Sequence, residues 1–277
     1  MKKTIETILK EYQPKLDRLD LELIIANSLA KTREFVLTHP EHKPTGAQIA
    51  KIDSFAHRRV KHEPLAYILG YKEFYGLNFK VTADTLVPRP ETELIVEEVL
   101  KLKPKNKNII DVGAGSGNII ISLAKNIKDK NNFIAVDISG KALSVAKQNA
   151  KANQVFKKIK FIQGNLLDKI KNINNSILVA NLPYLNKDWK NLLKSSDSAG
   201  LKFEPETALY GGDQDGLGIY RQLADKIKML KPKNVLIFCE IGHTQVSEMK
   251  KIFSSYKKIE FHKDLSGKWR VCKIECV

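Results

Sequence analysis

The pattern of apolar and polar residues changes along the chain near Gly70. Before this point, apolar residues recur at helical spacing, as in residues 47–59, where they fall on one face. Residues 1–69 are therefore expected to form a small helical domain. Residues 73–81 alternate around a glycine turn, which predicts a β-hairpin, so we expect residues 70–90 to be a β-hairpin connector.

Beyond this connector, short apolar segments of strand character alternate with longer segments of helical character. Strands are predicted at 108–112, 133–137, 159–162, 177–181 and 235–241, and near Ile259 and Val271. Helices are predicted at 91–102, 118–125, 141–153, 218–230 and 245–253. The alternation predicts an α/β domain over residues 91–277, with a doubly wound, mostly parallel sheet covered by helices. The two closing strands can add an antiparallel edge.

A glycine-rich loop follows the first predicted strand of this sheet and precedes a helix. Its residues are Gly113, Ala114, Gly115, Ser116 and Gly117. Glycines let the backbone turn sharply and let a ligand approach without a Cβ in the way. The G-x-G-x-G spacing departs from the G-x-G-x-x-G of dinucleotide sites, because position 118 is Asn118. The spacing favours S-adenosylmethionine over NAD, although the loop alone does not separate the two.

Polar residues after the next two strands are candidate contacts to an adenosine. Asp137 ends the second strand, where a carboxylate can accept hydrogen bonds from a ribose diol. The alternative for Asp137 is a helix N-terminal cap, a position for which Ser139 competes. Asn165 and Leu166 follow the third strand, where they can meet the adenine edge and face, although Asn165 is equally a common turn residue.

The tetrapeptide Asn181, Leu182, Pro183 and Tyr184 ends the fourth strand, at the sheet edge where such folds bind ligands. The Asn181 side-chain oxygen and the Leu182 carbonyl can hold both N–H groups of a planar NH₂, and this positioning is then the main catalytic contribution. The Tyr184 ring can stack on the acceptor beside a sulfonium. We predict Asn181, Pro183 and Tyr184 as catalytic residues, Leu182 as a further substrate contact, and Asn181 as a cofactor contact as well.

Segments along almost the whole chain resemble those of release-factor glutamine methyltransferases of the PrmC/HemK type. They are Glu63–Gly70, Glu73–Gly76, Val87–Glu93, Phe203–Pro205, Gly211–Gly212, Asp215–Leu217 and Glu240–Gly242. The resemblance implies the class I S-adenosylmethionine methyltransferase fold and methylation at N5 of the glutamine in the Gly-Gly-Gln motif of bacterial peptide-chain release factors. It also implies that the helical N-terminal domain helps to dock the release factor. The glycine loop, Asp137 and Asn165-Leu166 are assigned to the cofactor, and the tetrapeptide to the glutamine amide.

Four positions depart from the family pattern. The family usually reads Asn-Pro-Pro-Tyr, and here Leu182 replaces the first proline. Leucine keeps the main-chain carbonyl and is held extended by the proline that follows, so activity is expected to survive. Asn165 and Leu166 stand where an Asp and a bulkier aromatic are often found, and Trp269 stands where Asp is common. Arg89 and Glu240 are either structural or part of the cofactor site.

The composition bears on partners and location. The net charge is +16, but the basic residues are scattered rather than interleaved with aromatics, so no stable nucleic-acid partner is expected. A glutamine of a ribosomal protein and adenine N6 of nucleic acid remain alternative acceptors. A scaffold without catalysis is disfavoured, because the tetrapeptide lacks only one proline, and an oxidoreductase is disfavoured by the loop spacing. Without a signal peptide, a membrane span or a metal-ligand pattern, the chain is expected to be a cytoplasmic monomer without a metal.

Overall fold

The computed structural model describes residues 3–194 and 198–276. The chain divides into two compact units, Met1–Gly70 with Leu193–Phe203, and Tyr71–Leu192 with Glu204–Val277. The outermost bounds of the expected domains, 1 and 277, lie outside the described residues. Within the described ranges, no helix has the length and apolar run that crossing a bilayer requires.

The first unit consists mainly of helices that pack around a small apolar core. They are α1 (Ile5–Tyr12), α2 (Arg18–Leu29), α3 (Arg33–Thr38), α4 (Gly46–Val60) and α5 (Leu65–Leu69). Thr4, Asp17, Thr32 and Thr45 each begin a helix by accepting a main-chain N–H. The core is built from the apolar faces of α1, α2 and α4, which carry the fully buried Ile8, Leu21, Ile25 and Ile52.

The second unit opens with the expected hairpin, β1 (Tyr71–Phe74) and β2 (Leu77–Lys80), paired antiparallel. The helix predicted from Glu91 begins two residues later, as α6 (Glu93–Lys101), because Pro90 leads a 3₁₀ turn over Pro90–Thr92.

Seven strands form the central sheet of the second unit. They are β3 (Asn108–Val112), β4 (Asn132–Asp137), β5 (Ile159–Gln163), β6 (Ser176–Ala180), β7 (Val235–Glu240), β8 (Lys258–Lys263) and β9 (Trp269–Cys276). Their order is β5-β4-β3-β6-β7-β9-β8, with β9 antiparallel to both neighbours and the other neighbouring pairs parallel. The helices α7 (Asn118–Asn126), α8 (Gly140–Ala152), α9 (Gly218–Leu230) and α10 (Val246–Ile252) connect them. The predicted parallel sheet with an antiparallel edge is confirmed.

Both faces of this sheet are buried, which explains the continuous apolar runs of its strands. Ile109 and Val179 pack on one side with α6 and α7, whereas Ile110 and Leu178 pack on the other side with α9. The strand order reverses between β3 and β6, since the chain proceeds from β3 through β4 to β5 and then returns to the other side of β3. The carboxyl ends of the strands on either side of this switch point are where such folds bind ligands.

Candidate active site

A cavity of about 410 Å³ opens at the carboxyl ends of β3, β4, β5 and β6. The loops that follow these four strands form its walls, together with parts of the segments 84–92 and 205–210. Its size suits a small-molecule ligand. The sequence-predicted glycine loop, acidic residue, Asn165-Leu166 pair and most of the tetrapeptide therefore meet around one cavity.

Four residues of the glycine loop line this cavity, namely Gly113, Ala114, Gly115 and Ser116. Gly117 instead packs against the helices, because a Cβ there would lie 2.8 Å from Ile121 Cδ1 and 3.1 Å from Ala146 Cβ. Its φ of +80° also places it in the left-handed region that favours glycine. The predicted cofactor role of Gly117 is therefore one of shaping the loop rather than of lining the cavity.

The Asp137 carboxylate faces the cavity from the end of β4. Its two oxygens accept the main-chain N–H groups of Gly115 and Ser139, each at 2.8 Å. The cap of α8 is Ser139, whose hydroxyl accepts the Ala142 N–H at 3.1 Å, so the competition predicted from sequence is decided in favour of Ser139. Burial raises the pKa of Asp137, and the two N–H groups oppose this rise. The remaining lone pairs of the carboxylate can accept hydrogen bonds from the hydroxyl groups of a ribose.

Apolar side chains flank this carboxylate. Ile138 lines the cavity and is 63% exposed, which is unusual for an isoleucine and leaves an open apolar face there. Leu166 also lines the cavity and is nearly buried, while the neighbouring Asn165 is exposed at the rim. The pair predicted to meet an adenine thus lies on the same cavity as Asp137.

Asp111 received no role from the sequence, although it lies in β3 directly before the glycine loop. It is fully buried, and its Oδ2 accepts the Ile120 N–H at 3.2 Å in the first turn of α7. Among the described residues, its Oδ1 has no hydrogen-bond partner. Burial raises the pKa of Asp111 to about 7. Since Gly117 begins α7 without a side chain, Asp111 takes over the capping of that helix.

Three members of the tetrapeptide, Asn181, Leu182 and Pro183, line the cavity. The Tyr184 hydroxyl donates to Glu240 Oε1 at 3.1 Å, so this side chain is bound to a buried carboxylate rather than set against the cavity wall. Burial and the nearby Glu240 charge raise the pKa of Tyr184. The expected stacking of Tyr184 on the acceptor stays a prediction.

Glu240 also receives a second hydroxyl. The Thr92 hydroxyl donates to Glu240 Oε2 at 2.5 Å, and Asn181 Nδ2 donates to Thr92 Oγ1 at 3.1 Å. Burial raises the pKa of Glu240, whereas the two hydroxyl donors and the Arg270 charge oppose the rise. Glu240 therefore does not line the cavity itself, but it is hydrogen-bonded to Thr92, which does. Sequence reasoning gave Thr92 no role, because Thr92 and Asn181 belong to distant segments of the chain.

Arg89, the other residue left open by the sequence, lines the cavity and forms an ion pair with Glu204. The second oxygen of Glu204 accepts the Val87 N–H at 2.9 Å. Glu204 is almost completely buried, so the pair holds the segment between β2 and α6 against the loop that follows β6.

Two glycines bring a second loop against the backbone of the tetrapeptide. A Cβ on Gly211 would lie 2.4 Å from the Pro183 carbonyl oxygen, and one on Gly216 would lie 2.3 Å from the Tyr184 carbonyl oxygen. Gln245 Nε2 donates to the same Tyr184 oxygen at 3.0 Å. Gly211 and Gly216 entered the sequence analysis only through the family resemblance. Their physical role is to let the two backbones lie this close, which a residue with a Cβ would prevent.

Comparisons with known proteins identify two domain families in this chain. The PrmC N-terminal domain family matches residues 3–70, and the methyltransferase domain family matches residues 103–271. The release factor glutamine methyltransferase of Coxiella burnetii is 34% identical over 91% of this chain and 90% of its own length. A bifunctional methyltransferase of Rickettsia bellii is 30% identical over 94% of this chain, which spans 51% of that protein.

Solved structures show the same fold at low sequence identity. The catalytic domain of hMettl16, in a complex with the MAT2A 3'UTR hairpin 1, superposes with a TM-score of 0.59 at 16% identity and covers 80% of each chain.

The glycine loop, the Asp137 carboxylate and the apolar side chains beside it fit S-adenosylmethionine, the cofactor of methyltransferases of this kind. Release factor glutamine methyltransferases match nearly the whole length of this chain. The chain therefore belongs to the release factor glutamine methyltransferase family.

Proposed function

We propose that the protein transfers a methyl group from S-adenosylmethionine to N5 of the glutamine in the Gly-Gly-Gln motif of peptide-chain release factors. This proposal is supported by the contact between the glycine loop, on the cofactor side of the cavity, and the tetrapeptide, on the acceptor side. A Cβ on Gly113 would lie 2.8 Å from Leu182 Cδ2, so the cofactor loop touches the acceptor segment. A methyl donor on one side and an amide on the other would meet with little space between them.

The mechanism depends on orientation rather than on a base. An amide nitrogen is a poor nucleophile, because its lone pair is delocalised into the carbonyl. The Asn181 side-chain oxygen and the Leu182 main-chain carbonyl accept its two N–H groups, which turns the lone pair towards the methyl group. S-adenosylmethionine supplies, when bound, an electrophilic methyl group on a positively charged sulfur. The nitrogen becomes acidic as its bond to the methyl carbon forms and the carbon–sulfur bond breaks, with the electron pair of the broken bond left on sulfur. The nitrogen then releases one proton.

The cofactor would be held by the residues already placed around the cavity. Asp137 would accept hydroxyl groups of the ribose, while Ile138 and Leu166 would cover the adenine and Asn165 would reach its edge. The main chain of Gly113 to Ser116 would pass close to the methionine part. Gly117 would support this loop from its packing on the helices.

The partner and location follow from this substrate. We propose that the helical N-terminal unit contributes to docking of the release factor, and that the protein works in the cytoplasm, where termination takes place. We also propose that the protein acts as a monomer. The scattered positive charge requires no stable nucleic-acid partner.

The decisive experiment incubates the protein with S-adenosylmethionine and a purified bacterial release factor, followed by mass spectrometry of the Gly-Gly-Gln peptide. The glutamine should gain one methyl group, and a release factor with that glutamine changed to alanine should gain none. An unmodified peptide, together with methylation of a ribosomal protein or of adenine in DNA, would contradict the proposal.

The role of Asn181 is tested separately. Asn181→Ala should lose methyl transfer while still binding S-adenosylmethionine, as measured by calorimetry. Turnover near the wild-type rate in this variant would show that the amide oxygen does not hold the acceptor.

A further inference from the structure

The side chain of Asn181 can serve the acceptor only if its oxygen, and not its nitrogen, faces the cavity. An amide side chain has an acceptor end and a donor end of nearly the same shape, so shape alone does not decide between them. A flipped Asn181 would place an NH₂ group against the NH₂ group of a glutamine. The orientation of this side chain therefore needs a cause in the surrounding structure.

Thr92 is the residue that meets the nitrogen end. It lies at the end of the 3₁₀ turn Pro90–Thr92, is fully buried, and borders the same cavity as Asn181. Its Oγ1 accepts a hydrogen bond from Asn181 Nδ2 at 3.1 Å. Among the described residues, no donor reaches Asn181 Oδ1, so that oxygen remains for a ligand in the cavity.

Glu240 determines that Thr92 acts as an acceptor. A hydroxyl has one proton to donate, and an ionised carboxylate can only accept. Both Glu240 oxygens receive a hydroxyl, Oε2 from Thr92 at 2.5 Å and Oε1 from Tyr184 at 3.1 Å. The Thr92 proton is thereby committed to Glu240, and only the lone pairs of Oγ1 are left to face Asn181. Burial raises the pKa of Glu240, whereas the two hydroxyl donors and the positive charge of Arg270 oppose this rise and favour the ionised form on which this direction depends.

We propose that Thr92, held by Glu240, is a positioning residue that fixes the Asn181 amide with its oxygen towards the acceptor nitrogen. The inference rests on the proposed function, since the ligand of that oxygen is the glutamine NH₂. Two successive hydrogen bonds, from Thr92 to Glu240 and from Asn181 to Thr92, thus connect the buried carboxylate at the end of β7 with the substrate side of the cavity. Thr92 and Glu240 influence transfer without touching the reacting atoms.

The test compares Thr92→Val, which keeps the shape and removes the hydroxyl, with Thr92→Ser, which keeps the hydroxyl. Steady-state methylation of the release factor is measured for both, together with the affinity for S-adenosylmethionine and the melting temperature. We expect kcat of Thr92→Val to fall by about 10- to 100-fold. Its affinity for S-adenosylmethionine should stay within about threefold of the wild type, and Thr92→Ser should restore most of kcat.

The outcomes separate this inference from the proposed function. If wild-type protein leaves the release factor unmethylated, the proposed function is contradicted. If the wild type and Thr92→Val are equally active, or if Thr92→Ser loses as much kcat as Thr92→Val, only the orienting role of the hydroxyl is contradicted. Should Thr92→Val fail to fold, Thr92→Ala removes the same hydroxyl with less bulk and must show the same loss relative to Thr92→Ser.

Discussion

The main-chain N–H of Leu182 donates to the hydroxyl of Tyr220 at 3.3 Å. This bond matters because Leu182 stands where the family usually has proline, which carries no N–H. A buried N–H without a partner is costly, and Leu182 is 4% exposed. The Tyr220 hydroxyl accepts this N–H and in turn donates to the Glu240 carbonyl oxygen at 2.5 Å. The replacement of proline by leucine is therefore accommodated by a residue from α9.

Removal of this hydroxyl should cost more with leucine than with proline at position 182. We expect Tyr220→Phe to lower the free energy of unfolding by about 1–3 kcal/mol, because it leaves the Leu182 N–H unpaired. In a Leu182→Pro background the same change should cost less, since only the Glu240 carbonyl then loses a partner. Urea unfolding of the wild type, both single variants and the double variant measures the difference. Equal costs in the two backgrounds would rule out this compensation.

Asp137 should determine the affinity for S-adenosylmethionine. We expect Asp137→Asn to weaken binding by about 10- to 100-fold, because a charged acceptor for the ribose is lost. Asp129→Asn is a suitable control, since the Asp129 carboxylate pairs loosely with Lys105 at the surface, at 3.7 Å. Calorimetric titration with the cofactor measures both. If the two variants bind equally well, the ribose contact is not made by Asp137.

Protonation should weaken the same contact. Burial raises the pKa of Asp137, so its carboxylate gains a proton at a higher pH than an ordinary aspartate. A protonated carboxyl offers the ribose a poorer acceptor. Cofactor affinity of the wild type should accordingly fall as the pH is lowered through that raised pKa, and titrations at several pH values measure this fall.

Asp111 should make stability depend on pH near neutrality. Its pKa is raised to about 7 in the folded protein, so folding binds a proton that the unfolded chain releases. The contribution of this group therefore favours the folded state increasingly as the pH falls from about 7 to about 4. The expected slope is up to about 1.4 kcal/mol per pH unit.

Two measurements check this expectation for Asp111. Carbon NMR of labelled aspartate should show one carboxyl that titrates near the raised value and disappears in Asp111→Asn. The free energy of unfolding is also measured against pH for the wild type and for Asp111→Asn. The contributions of the other carboxyl groups cancel in the difference between the two. A carboxyl at position 111 that titrates in the ordinary aspartate range would contradict the effect of burial on Asp111.

Gly211 should tolerate no side chain. An alanine Cβ at this position would lie 1.9 Å from the Gly216 carbonyl oxygen and 2.4 Å from that of Pro183, so the backbone of the tetrapeptide must move. We expect Gly211→Ala to lose about 1–3 kcal/mol of stability and most of its transfer activity. Gly46→Ala is the matched control, because a Cβ there meets nothing within 4 Å. Melting temperatures and methylation rates of both variants provide the comparison, and similar behaviour of the two would refute the close approach.

The sequence predicted the features that depend on residues close together along the chain. Strand β3 and helix α9 begin and end where the periodicity placed them, and the glycine loop follows β3 as expected. These predictions succeed because periodicity, glycine and proline act locally. The family was predicted from the resemblance, because short segments that match it lie at many separate points along the chain.

The contacts that complete the site join residues far apart along the chain, and periodicity carries no information about them. Thr92 meets both Asn181 and Glu240, and Tyr184 turns towards Glu240 instead of the cavity. The segment Leu193–Phe203 belongs with the first unit although it lies within the sequence of the second. Each of these follows from tertiary packing, which a single sequence does not encode in a readable local pattern.

The position of β9 constrains the order in which the sheet can be assembled. β9 lies between β7 and β8, so β8 has no neighbour in the sheet until β9 is in place. The two strands are joined by a tight turn in which Asp264 accepts the Lys268 N–H, and their pairing closes only a short loop. The pairing of β3 with β6, in contrast, closes a long loop that contains all the residues between Val112 and Ser176. We therefore expect β8 and β9 to form as a hairpin early in folding and to add to β7 as one piece, after the slower parallel pairing has formed the cavity.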